Sequence, residues 1–163
     1  MDIDRLNNGE KLASVSAAVL FVALFSPWFG WAGYEGGFTA WQAFTWIDLL
    51  LFLTVVGGLG LAILAGTARE VALPVSGGHL VAAVGGIALL LVLYRLVAPP
   101  GFAGELGVTA VYPDGFPSVR LEYGAWLGFV SVGGVAIGGM LSLNDSAEAD
   151  ARVTRAVPGR PQG

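Results

Sequence analysis

The chain has 163 residues, of which 55% are hydrophobic and only 12% charged, with a net charge of −4 and no cysteine. Soluble domains are about 25% charged, so the composition argues against a water-facing fold. The missing thiols exclude disulfides, thiolate metal sites and cysteine nucleophiles. Eight Lys and Arg in all leave no basic surface for nucleic acid, so no nucleic-acid partner is expected.

The apolar residues come in four long blocks separated by short polar or turn-rich stretches, which reads as transmembrane helices. The lead MDIDRLNNGEK is polar. Its Asp2, Asp4 and Glu10 argue against a signal peptide, whose first region is plainly basic. The first span is expected over about 12–29, with Pro27 marking a kink or the exit. The second is expected over 44–66. Thr39 with Gln42, and Thr45 with Asp48, both have capping-box spacing, so its start is open. The third is expected over 79–98, closed by Pro99-Pro100, because proline disfavours helix at the residue before it. The fourth is expected over 124–143. Residues 144–163 are charged and end in Pro and Gly, the composition of a disordered tail.

Basic residues are retained on the cytoplasmic side. Arg5, Lys11, Arg69, Arg152, Arg155 and Arg160 fall on one side of this pattern, Arg95 and Arg120 on the other. Both termini are therefore expected in the cytoplasm. All the tryptophans, Trp28, Trp31, Trp41, Trp46 and Trp126, fall at the expected outer interface, where indole rings are favoured. The long outer connection, about 99–123, contains two weakly alternating stretches, 108–112 and 119–123, around Pro113-Asp114-Gly115. That pattern fits either a small β-hairpin or an irregular loop.

Few residues carry chemistry. Asp48 and Arg95 are each expected about one turn inside the outer edge of a span. Ionisable groups there mark function by default, and a possible intramembrane ion pair avoids most of the burial cost. Helix capping, a ligand or proton site and plain boundary charge are the other readings. Gly124, Gly128, Gly134 and Gly138 are four apart in two pairs, the spacing that lets membrane helices approach closely. They serve helix packing within the chain or dimerisation. His79, the one histidine, reads as a polar boundary residue, because a metal site needs further ligands nearby. No metal site and no cofactor site is expected.

The segments RLNNGEKL, FSPWFGW, AWQAFTWIDLLLFLTV, LVLYRLVAPPG and GAWLGFVSVGGVAIGG, taken together, resemble a group of uncharacterised small four-span membrane proteins of actinobacteria. The resemblance implies topology and class, and carries no activity. The expected architecture is an all-α four-helix transmembrane bundle, multi-pass in a bacterial inner membrane. No nucleophile–base set is visible, so no enzyme is expected. The expected role is a non-catalytic accessory or structural component whose partners are the lipid bilayer and a membrane protein or further copies of itself. The alternative is a small transporter or channel subunit working as an oligomer.

Overall fold

A computed structural model describes residues 6–31, 36–44, 46–67, 77–98 and 119–156. The chain is mostly helical. In order it forms α1 (Asn8–Leu24), β1 (Pro27–Trp31), β2 (Gly37–Thr39), α2 (Ala40–Ala43), α3 (Ile47–Thr67), α4 (Gly77–Val97), β3 (Val119–Leu121) and α5 (Tyr123–Ala156).

Each helix boundary has a local cause. At the start of α1, Asn7 Oδ1 accepts from the Glu10 N–H at 2.7 Å, and Glu10 Oε2 accepts from the Asn7 N–H at 2.9 Å. Two amides that have no partner inside the helix are satisfied reciprocally. The helix stops at Leu24, three residues before Pro27, and β1 begins on that proline. Between Thr39 and Gln42 the bonds run one way, with the Thr39 N–H donating to Gln42 Oε1 at 3.0 Å and the Thr39 hydroxyl to the same oxygen at 3.3 Å. They open only the single turn of α2. Phe44 is extended (φ −123°, ψ 139°), so α3 starts separately at Ile47. Thr45, the other expected cap, lies outside the described residues.

The expectation of a tail without structure from residue 144 is corrected, since α5 continues without a break to Ala156. Its added sequence, NDSAEADARVTRA, lacks Gly and Pro and is rich in alanine, the best helix former. A helix already nucleated by the preceding apolar turns extends over such residues at little cost. Residues 157–163 lie outside the described set.

The four long helices pack as antiparallel neighbours. α5 lies against α1 and α4, α3 lies against the same two, and α3 and α5 barely touch. A Cβ on Gly138 would sit 2.5 Å from the Ala13 nitrogen, and one on Gly58 would sit 2.7 Å from Ala17 Cβ. On the other side, a Cβ on Gly85 would lie 3.1 Å from Ala136 Cα, and one on Gly139 would lie 2.7 Å from the Ala82 nitrogen. Backbones meet wherever the inward residue is small, the way helices associate in lipid. Inward positions recur at spacings of three and four. On α3 they include Asp48, Leu51, Val55, Gly58 and Ala62, with Thr54 buried beside Val55; on α4 they are Gly78, Val81, Gly85, Ala88 and Val92. Such a 3.5-residue repeat keeps one seam facing its neighbours along the whole helix.

A three-stranded antiparallel sheet, order β2-β1-β3, closes one end of this assembly. The fold is therefore not purely helical. Of the expected hairpin, the second stretch is partly present as β3, but its partner is β1, with Gly30 opposite Arg120. The first stretch, 108–112, lies outside the described residues. Sequence alternation in the loops was too short to reveal β1 and β2.

Candidate functional site

The sheet end gathers the aromatic and charged residues. In β1 the register slips by one residue, with Pro27 opposite Thr39 but Phe29 opposite Phe38. Trp28 is the extra residue. Successive side chains of a regular strand point to opposite faces. The bulge allows Trp28 and Phe29, adjacent in sequence, both to be fully buried. Trp28 Nε1 donates to the Ala23 carbonyl at 2.7 Å. Its ring lies against Gly128 and meets Phe44 edge-on, centroids 5.3 Å apart, while Phe29 meets Phe44 at 5.7 Å. These three rings plug the end of the helix assembly. Trp28 is thus core, not an interface anchor, whereas Trp41, Trp46 and Trp126 are exposed.

Asp48 is buried in the first turn of α3, and its Oδ1 accepts from the Leu49 N–H at 2.7 Å. A carboxylate there suits the positive end of the helix dipole and satisfies an otherwise orphan amide. Arg95 is half-buried in the last turn of α4. It follows Val92 by three residues and Ala88 by seven, so it continues the inward seam of α4. Asp48 and Arg95 do not form an ion pair among the described residues. Asp48 is held by its own helix start, and the Arg95 Nε is buried with no hydrogen-bond partner. The ion pair present at this end joins Arg120 to Glu122 at 3.0 Å. Glu122 also lies over Gly30, where a Cβ would come within 2.7 Å of its Oε1.

The four glycines singled out from the sequence all face α1 and the start of β1. A Cβ on Gly124 would strike the Pro27 carbonyl, one on Gly128 the Trp28 ring, one on Gly134 the Ser16 hydroxyl and one on Gly138 the backbone of Gly9 and Ala13. They pack α5 inside the chain. His79 is exposed in the first turn of α4. Among the described residues no group of three or more His, Asp or Glu gathers to hold a metal ion. Sequence reasoning missed the capping pair Asn7 and Glu10, although their three-residue spacing was there to be read. It also missed the aromatic plug, which depends on a bulge that no local pattern announces.

Between α3 and α4, at the end away from the sheet, the packing loosens. Two adjoining apolar grooves of about 220 and 190 Å³ run along Leu53, Gly57, Leu61, Gly77, Leu80 and Val81. Gly60 and Gly86 face open space.

The outer faces are apolar throughout. Val15 and Val22 of α1, Leu49 and Leu53 of α3, Ile87 and Leu90 of α4, and Val130 and Ile137 of α5 are all more than half exposed. Two helices, Gly77–Val97 (mean hydropathy 2.4) and Tyr123–Asp145 (1.7), are long and apolar enough to cross a membrane. Comparison with protein-family models, curated proteins and solved structures finds no match.

Proposed function

We propose that the chain is a multi-pass integral membrane protein of a bacterial inner membrane, in which α1, α3, α4 and α5 each cross the bilayer. The single observation that carries this is the distribution of side-chain size. The inward seams are built mainly from Gly, Ala, Val and Leu, and most of the larger apolar side chains are turned outward on all four helices. In water such a surface is far larger than the exposed apolar patches of monomeric proteins. In lipid it is the expected arrangement, because chain packing and not exclusion of water drives helix association. The sheet end is then the outer face and both termini are cytoplasmic, as the excess of Lys and Arg at the other end supports. The resemblance to small four-span proteins of actinobacteria points the same way.

Within that reading the role is non-catalytic, an accessory or structural component that works through lipid and membrane-protein contacts. A second reading, a small transporter or channel subunit acting as an oligomer, is favoured by one observation, the inward-facing Asp48 and Arg95 at the outer end. The close backbone approach around Ala13, Ala17, Gly58 and Gly138 leaves a single copy no room for a path at the inner end, so this reading needs several copies. The variants Asp48→Asn and Arg95→Gln would abolish flux and leave folding intact if it holds.

The absence of cysteine makes the topology directly testable. In intact cells, Gln42→Cys should react with a membrane-impermeant maleimide, and Asn144→Cys only after permeabilisation. Equal labelling of both positions, or release of the chain by alkaline carbonate, would sink the spanning arrangement. Co-purification from native membranes tests the accessory role; a stable monomer with no companion would count against it.

A further inference from the structure

We propose that Arg95 is the seat of an oxyanion, a phosphate or carboxylate group, bound at the outer end of the helix assembly. The inference rests on the spanning arrangement above and adds a ligand class to it. The seam of α4 passes through Gly78, Val81, Gly85, Ala88 and Val92, and the next position at that spacing is Arg95. Its stem is therefore aimed toward the neighbouring helices and not away from them. An arginine merely snorkelling to water would keep its whole guanidinium wet. Here the Nε is buried and has no acceptor.

The Nε–H is one edge of a planar fork of five donors whose geometry matches carboxylate and phosphate oxygens two at a time. A buried donor with nothing to donate to marks a group in need of a partner. Two carboxylates of the described residues stand at this end, and both are engaged. Asp48 accepts from its own helix amide at 2.7 Å, and Glu122 accepts from Arg120 at 3.0 Å. Arg95 is thus a cation at the outer end with its Nε–H unfilled. It lies two residues before the end of α4 at Val97, about 3 Å along the axis. In the spanning arrangement proposed above, that places it near the lipid headgroups. The group is supplied either by the headgroup of an anionic lipid or by a solute arriving from outside, and the same guanidinium edge receives both.

Thermal unfolding of the full chain in neutral detergent, read by tryptophan fluorescence, decides between them. Short-chain phosphatidylglycerol and inorganic phosphate are titrated separately, with chloride at equal ionic strength as control. The expected result is a saturable rise in Tm that chloride does not reproduce and that Arg95→Gln weakens at least tenfold in half-saturating concentration. A rise with phosphatidylglycerol alone assigns the group to a lipid headgroup; an equal rise with inorganic phosphate assigns it to a free oxyanion. Arg95→Lys keeps the charge and loses the fork, so it guards against a Gln variant that fails to fold. Arg95→Lys should also bind severalfold more weakly, and wild-type affinity in it overturns the assignment. So does a flat response of the wild-type chain to both probes. Carbonate extraction of the same membranes separates the two proposals. A chain retained in the bilayer that ignores both anions overturns this inference alone. A chain released by carbonate overturns the spanning arrangement, while the phosphate titration still decides Arg95.

Discussion

The two ends of the helix assembly are held together by opposite means. At the end away from the sheet, α1, α3 and α5 approach through Gly9, Ala13, Ala17, Gly58 and Gly138, and backbone meets backbone. At the sheet end the rings of Trp28, Phe29 and Phe44 fill the space between the helices, with the Trp28 ring against Gly128. One end is specified by what is absent from the side chains, the other by bulk. The residues whose loss does most damage therefore differ between the two ends. Adding atoms is harmful where glycines meet, and removing them is harmful in the plug.

The largest effect is expected at the plug. Trp28→Ala removes a fully buried ring and its hydrogen bond to Ala23, and large-to-small changes of that kind cost about 3–5 kcal/mol. Unfolding in detergent should show a loss of that size. Survival of the variant with wild-type Tm would mean the plug does not hold the sheet end together. Next comes Gly138→Val. Its new atoms meet the Ala13 nitrogen at 2.5 Å and the Gly9 carbonyl at 2.7 Å, backbone that cannot turn aside. Overpacking of this sort costs about 1–3 kcal/mol or more. The same change at Gly60, which faces open space, should stay within about 0.5 kcal/mol. Similar losses at both glycines would erase the contrast between close contact and open face. Smaller still is Asn7→Ala, which deletes the α1 cap at a cost of about 1 kcal/mol. Its signature is faster hydrogen exchange confined to the first turn of α1, leaving the sheet end untouched.

Much of the helical layout was legible along the chain. The apolar blocks, Pro27 and the Pro99-Pro100 pair place most of the helix ends to within a few residues, because proline and apolar run length act locally. The contact between Thr39 and Gln42 was legible as a helix start but not as the start of a separate turn, since the break between α2 and α3 depends on Phe44 being extended. The tail was misjudged because charge and a terminal Pro-Gly stretch suggest disorder, while an established helix carries alanine-rich sequence onward. The possible pairing of Asp48 with Arg95 is not seen among the described residues, for a reason spacing cannot convey. A carboxylate in a first turn finds its own backbone amide before it finds a neighbouring helix.

What the amino-acid order determined by itself is the set of long apolar helices and the small-residue seam of α5, because both are properties of runs and periods within one segment. What only the tertiary structure decided is which seam meets which, that β1 pairs with β3 across the length of the chain, and that a one-residue bulge turns Trp28 into the core. Those outcomes depend on contacts between residues far apart in the chain. No local pattern carries them, and neither does it show that Arg95 ends with a donor facing inward and unmet.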